Sequence, residues 1–150
     1  MFTNYLPRRG VKIPLESENK PSVITELVDL LCEVYNLRIK NEILAAVLER
    51  EEILSTGVGY GIAIPHAKMD DISSPKMVAG LSPDGIEFDS VDGKPARIFF
   101  LLISPKNGSG DHVHILSELS RILNNPVTRE EILKSKNAGD FIDTLKKNES

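Results

Sequence analysis

From Ala96 to Ser104 the chain reads Ala-Arg-Ile-Phe-Phe-Leu-Leu-Ile-Ser, with an unbroken run of large apolar residues from Ile98 to Ile103. Side chains of a strand point alternately to its two faces, so a strand of this composition must be covered by apolar partners on both sides. The run is far shorter than a membrane span. It therefore predicts the central strand of a sheet in a folded core. Further short strands are predicted at Val11–Leu15, Ile62–Ile64, Lys76–Ser82 and Ile86–Phe88. Pro83-Asp84-Gly85 and Asp92-Gly93-Lys94-Pro95 read as turns between them. Apolar residues recur at helical spacing over Pro21–Leu37 (Ile24, Leu27, Val28, Leu31, Val34 and Tyr35) and over Lys40–Ile53 (Ile43, Leu44, Val47, Leu48 and, just beyond, Leu54). A polar loop, Pro105–Gly110, leads to Asp111 and a helix ending near Asn124. Thr128-Arg129-Glu130-Glu131 has the form of a capping box opening a short helix, and Asp140–Lys147 forms the last one. Helices and strands are segregated rather than alternating. The expected class is α+β, a mixed β-sheet flanked by helices on both faces in α/β/α layers, as a single domain over residues 1–150.

The charge balance narrows the partners. With 18 Lys+Arg against 22 Asp+Glu the net charge is −4, which gives no electrostatic reason to expect nucleic acid or an anionic membrane as partner. Cys32 is the single cysteine, so no internal disulfide forms and a reducing, cytoplasmic setting is expected. Cys32 falls at the edge of an apolar helix face and reads as a packing residue. Arg8-Arg9 is followed by Gly-Val-Lys-Ile-Pro, which is no export signal, and direct membrane insertion is not expected.

Chemistry concentrates in three histidines, His66, His112 and His114. Ahead of His66 runs Ser55-Thr56-Gly57-Val58-Gly59-Tyr60-Gly61, whose alternate glycines free backbone N–H groups to converge on an anion beside the hydroxyls of Ser55 and Thr56. The spacing does not match a dinucleotide fingerprint, and no Gly-Lys-Ser/Thr phosphate loop exists, so no nucleotide cofactor is expected. A lone histidine after Pro65 is compatible with a plain loop residue or with a nucleophile. At about 100° per residue, His112 shares a helix face with Leu116, Leu119 and Leu123, whereas His114 points to the opposite side with Glu118 and Arg121. That divergence argues against a metal site built from the histidines, and none is expected.

The segment Leu48-Glu49-Arg50-Glu51-Glu52-Ile53-Leu54-Ser55-Thr56-Gly57-Val58-Gly59-Tyr60-Gly61-Ile62-Ala63-Ile64-Pro65-His66 resembles the signature of the IIA domains of the bacterial phosphoenolpyruvate-dependent phosphotransferase system, fructose/mannitol class, which includes the nitrogen-regulatory IIA proteins. The likeness extends more weakly from about Ile13 to Leu145, and Asp111-His112-Val113-His114-Ile115-Leu116-Ser117 matches a second family element. The resemblance implies a cytoplasmic phosphocarrier whose acceptor is His66. The donor would be the phosphohistidine protein HPr or its nitrogen-branch homologue, and the recipients a IIB domain or regulated proteins. It further implies that His112 is the second site histidine and that Arg50 lies near the phosphoryl group. Ser55, Thr56, Gly57, Gly59 and Gly61 complete the expected phosphate-binding set. No transporter, IIB or HPr-like segment lies within the sequence, which inclines the expectation toward the nitrogen-regulatory form, with a sugar-uptake IIA as the alternative. Ala67 stands where the family often has Gly, and Tyr60 where Asn is common.

Overall fold

A computed structural model describes residues 1–108 and 110–149. Two short 3-10 turns, Phe2–Tyr5 and Arg8–Gly10, precede strand β1 (Val11–Lys12). Helices α1 (Lys20–Tyr35) and α2 (Lys40–Ile53) follow, then strands β2 (Gly57–Gly59), β3 (Ile62–Ala63), β4 (His66–Met69), β5 (Lys76–Ile86) and β6 (Ala96–Pro105). Helices α3 (Asp111–Leu123), α4 (Pro126–Leu133) and α5 (Ala138–Asn148) close the chain. Among the described residues, no helix is long and apolar enough to cross a membrane.

The apolar run of β6 occupies the middle of the sheet, as its composition predicts. The order is β1-β5-β6-β3-β2, with β4 also paired to β6. β5 runs antiparallel to β6, whereas β3 and β4 are parallel to it, beside Ile98–Phe99 and Leu102–Pro105 respectively. Alternation along β6 divides the core in two. Phe99, Leu101 and Ile103 pack with α1 and α2 through Leu27, Leu31, Ile43 and Val47. Ile98, Phe100 and Leu102 pack with Ile115, Leu119, Ile122, Phe141 and Leu145 of α3 and α5. The result is the expected mixed sheet between two helical layers. Each fully buried Leu, Ile or Phe contributes about 1.5–3 kcal/mol of transfer free energy, so the two clusters make β6 the anchor of both layers.

Local chemistry explains the helix limits. Asn19 Oδ1 accepts from Ser22 N at 2.9 Å to start α1, and Asn36 in the left-handed region (φ 53°) ends it. Several predicted boundaries shift. Helix α4 begins at Pro126 because Asn125 Oδ1 caps Val127 N at 2.9 Å, so Thr128 is buried inside the helix rather than capping it. Gly110, not Asp111, is the N-cap of α3; Ser109 of the predicted polar loop lies outside the described residues. Pro83-Asp84-Gly85 does not divide two strands: β5 runs through it with a register shift and pairs again at Ile86↔Ala96. The glycine segment is a hairpin between β2 and β3, with Tyr60 (φ 58°) and Gly61 (φ 78°) at its tip. Positive φ at both tip residues is what a tight hairpin needs to match strand twist. On α2 the buried stripe is Ile43, Val47 and Glu51, while Leu48 and Leu54 are exposed.

Leu15 reaches over β5 at Gly80, where an added Cβ would sit 2.6 Å from Leu15 Cδ2. Gly80→Val is expected to cost about 1–3 kcal/mol through overpacking. For a chain of this size that lowers the melting temperature by roughly 3–10 °C. Adding Leu15→Ala should recover part of the loss in a thermal melt. An unchanged melting temperature for Gly80→Val alone would contradict this packing.

Candidate functional site

The last turn of α2, the start of β4 and the start of α3 meet at the carboxyl end of β6. There they wall a cavity of about 600 Å³ whose lining includes Arg50, His66, Lys68, Lys106 and His112. The rings of His66 and His112 lie 5.4 Å apart, centroid to centroid, tilted by 59°. Residues more than forty positions apart in sequence are thus brought together by β6, which holds β4 on one side and leads into α3.

Hydrogen bonding assigns the protons of His66. Its Nδ1 lies 2.7 Å from the carbonyl oxygen of Ile64. A carbonyl only accepts, so Nδ1 carries the proton and Nε2 carries the lone pair. Burial is the main cause that lowers the His66 pKa below its ordinary value, and the positive charges of Arg50 and Lys68 act in the same direction. The Ile64 carbonyl and Glu51 oppose that shift. His112 is 8% exposed, and its Nδ1 lies 2.7 Å from Ser104 Oγ. Burial first, then His66 and Lys68, push its pKa down to about 4, so it is neutral near pH 7. Two neutral imidazoles therefore face a cavity lined by Arg50, Lys68 and Lys106 and also by Glu49, Asp70 and Asp71. Lys106 is paired with Asp70 at 3.7 Å, so Arg50 and Lys68 are the cations best placed for an incoming anion.

The predicted residues divide sharply. His66, His112 and Arg50 share the cavity. Arg50 is not a free guanidinium over the core: its Nη1 donates to the Leu54 carbonyl at 2.9 Å, closing the end of α2. Ser55, Thr56, Gly57, Gly59 and Gly61 do not line this cavity, and the hydroxyls of Ser55 and Thr56 and the N–H of Gly57 are engaged elsewhere. Ser55 Oγ donates to Phe88 O at 2.7 Å and accepts from Gly57 N at 3.0 Å. Thr56 donates both its N–H (2.9 Å) and its hydroxyl (2.6 Å) to Glu51. Gly59 and Gly61 border a separate depression with Tyr60, whose ring is stacked by Arg129 at 4.8 Å. Positive φ at Gly59 and Gly61 turns the chain at the hairpin, and neither glycine lines the cavity that holds His66.

On α3, His112 is buried and His114 exposed, as the helical angles predict. Glu118, expected on the solvent side, is instead buried and paired with Arg121 at 2.7 Å. The inward face is centred nearer Ile115 and Ile122 than Leu116, which is only partly buried. Sequence reasoning missed Glu51, Lys68, Lys106 and Ser104. Glu51 left a signal, since it follows Ile43 and Val47 at four-residue spacing and so puts a charge at a core position. Lys68 and Lys106 are exposed loop or strand-edge cations with no distinguishing pattern.

Comparison with known proteins identifies the family. A family profile described as "Phosphoenolpyruvate-dependent sugar phosphotransferase system, EIIA 2" matches residues 4–148. The fructose-specific EIIA component of Haloferax volcanii is 40% identical over 126 residues, covering 84% of this chain and 82% of that protein. The fructose-specific EIIABC component of Bacillus subtilis is 34% identical over 144 residues, 96% of this chain, which spans only 23% of that longer relative. Among solved structures, the nitrogen regulatory protein IIA-Ntr of Neisseria meningitidis superposes with a TM-score of 0.88 at 27% identity, covering 95% of this chain and 97% of that one. The Escherichia coli complex of enzyme IIAMTL with phosphorylated IIBMTL, at 18% identity and TM-score 0.81 over 94% of this chain and 96% of that one, shares the fold. With the match running almost end to end, the chain belongs to the EIIA type 2 family of the phosphoenolpyruvate-dependent sugar phosphotransferase system.

Proposed function

We propose that this chain is a phosphohistidine relay in which His66 Nε2 accepts a phosphoryl group and passes it on. The observation that carries this reading is the 2.7 Å bond from His66 Nδ1 to the Ile64 carbonyl, which leaves Nε2 as the nucleophile beside His112 and Arg50. The donor is a phosphohistidine of HPr or its nitrogen-branch homologue. The Nε2 lone pair attacks phosphorus in line, and the electron pair of the breaking N–P bond returns to the donor imidazole. The proton stays on Nδ1, hydrogen-bonded to the Ile64 carbonyl oxygen, whose dipole stabilises the positive charge that develops on the ring.

Phosphoryl transfer asks a protein for positioning and for donors to spreading negative charge. Arg50 has N–H groups beyond the one bound to Leu54, and it supplies that charge at the cavity wall. In the tautomer in which the Ser104 hydroxyl donates to His112 Nδ1, His112 carries its proton on Nε2 and offers it to a phosphoryl oxygen. The relay needs no resident cofactor or metal, since the reacting groups are two imidazoles and the phosphoryl group itself. A single IIA unit, with a core of about residues 13–145, carries all of these parts, and a relay with such partners works in the cytoplasm.

The recipient is a regulated protein in the nitrogen-regulatory reading, supported by the 0.88 TM-score to the Neisseria protein. A second reading, delivery to a IIB domain of a fructose-type uptake system, draws on the 40% identity to the Haloferax component and on the IIA–IIB pairing of the fold neighbour.

The test is incubation with phosphoenolpyruvate, enzyme I and HPr, or their nitrogen-branch versions, followed by intact-mass measurement and single-turnover rates. His66→Ala should remain folded and gain no phosphate; normal labelling would overturn the acceptor assignment. His112→Ala should slow transfer about tenfold or more, whereas His114→Ala should be nearly silent, and equal defects would contradict their opposite placement. Arg50→Gln should slow transfer by about a hundredfold while lowering the melting temperature only slightly; the reverse pattern would leave Arg50 a helix-capping residue alone. Because burial lowers the His66 pKa, the neutral nucleophile persists below pH 6.5 and is lost only as pH falls through that depressed value. The transfer rate from a fixed donor should therefore hold at pH 6.5, and a midpoint above that pH would contradict the described environment.

A further inference from the structure

Helix α2 buries Ile43, Val47 and Glu51. A carboxylate at a core position is costly unless its oxygens are fully engaged, and those of Glu51 are. Oε1 accepts Thr56 N–H at 2.9 Å and pairs with Lys20 Nζ at 3.0 Å, while Oε2 accepts the Thr56 hydroxyl at 2.6 Å. Lys20 is itself held by Asp89 at 3.3 Å and lies 4.7 Å from the Phe88 ring. Both hydrogen-bond donors of Thr56 thus end on one fixed carboxylate.

The restraint continues toward the site. The Thr56 carbonyl accepts Ile64 N–H at 3.0 Å, and the Ile64 carbonyl accepts His66 Nδ1–H at 2.7 Å. Between Ile64 and His66 stands Pro65, whose fixed φ and anchored carbonyl, bound by Leu102 N at 3.1 Å, leave the chain little freedom. The direction of the Ile64 carbonyl therefore depends on how the Thr56–Ile64 pairing is held, and Glu51 holds it. We infer that Glu51 is a positioning residue: its clamp on Thr56 sets the Ile64 carbonyl, which fixes the proton of His66 on Nδ1 and aims Nε2 into the cavity. The consequence for phosphoryl transfer rests on the relay reading above; the consequence for the ring's tautomer does not.

Chain labelled with ¹⁵N-histidine, as wild type, Glu51→Ala, Glu51→Gln and Thr56→Val, separates this role from simple stabilisation. Two-bond ¹⁵N–¹H spectra above pH 7 report the tautomer, and single-turnover transfer from a phosphorylated HPr-type donor reports rate at saturation and half-saturation separately. Wild type should show His66 protonated on Nδ1. Glu51→Ala should shift it to a mixture with the Nε2–H form and slow saturated transfer about ten- to a hundredfold, with half-saturation little changed. Thr56→Val, which keeps the backbone bond to Glu51, should show a smaller shift of the same kind. Glu51→Gln can accept from Thr56 N–H and donate to its Oγ, so it should restore most of both readouts. A folded Glu51→Ala with the wild-type tautomer, or with wild-type saturated transfer, would overturn the proposal. Should that variant not fold, an unaltered His66 tautomer in Thr56→Val overturns it equally. If wild type takes up no phosphoryl group the relay reading falls, and the tautomer comparison still decides the role of Glu51.

Discussion

Strand β6 has no solvent-facing side along its apolar run, and the positions of the other elements follow from that constraint. Helices must cover both faces, which fixes the three layers. Its pairing with β5 on one side, and with β3 and β4 in sequence on the other, sets where each of those strands ends. His66 is the first residue of β4, opposite Leu102, and Ser104 near the end of β6 contacts His112. The two imidazoles meet because one buried strand fixes the origin of both segments.

Around that meeting point, polar groups are arranged by elimination of alternatives. The carbonyl of Ile64 accepts but cannot donate, so it leaves a single proton arrangement for His66. Burial keeps both histidines neutral, and His112 is held neutral to about pH 4. Of the cations at the rim, Lys106 is paired with Asp70, and Arg50 and Lys68 offer charge to an anion. The same environment that disfavours an imidazolium favours a nitrogen nucleophile, so stability and reactivity impose the same requirement here.

Much of this was legible in the residues. The apolar run of β6, the spacing along α1 and α2 and the opposed angles of His112 and His114 all follow from side-chain periodicity, which dominates where burial is large. The three histidines stood out as residues; the choice of His66 as acceptor and the place of Arg50 came from the resemblance. What was not legible depended on long-range partners. Ser55 and Thr56 carry hydroxyls that can bind an anion, but Phe88 and Glu51 hold them, and the alternate glycines lie at a hairpin outside the cavity of His66. Pro83-Asp84-Gly85 has turn chemistry, yet the β6 ladder resumes at Ala96 and turns it into an irregularity within one strand. β4 was hidden because Pro65 reads as a stop while parallel pairing with β6 restarts the strand at once.

In the proposed relay, the ring nitrogen left free by the Ile64 carbonyl is the one that bonds to phosphorus. This is tested most directly by ³¹P and ¹⁵N NMR of the ¹⁵N-histidine-labelled chain after enzymatic phosphorylation, reading which histidine and which nitrogen couple to phosphorus. The expected result is a single phosphorus bonded to Nε2 of His66, with Nδ1 still protonated. Phosphorus on His66 Nδ1, or on His112 or His114, would contradict it.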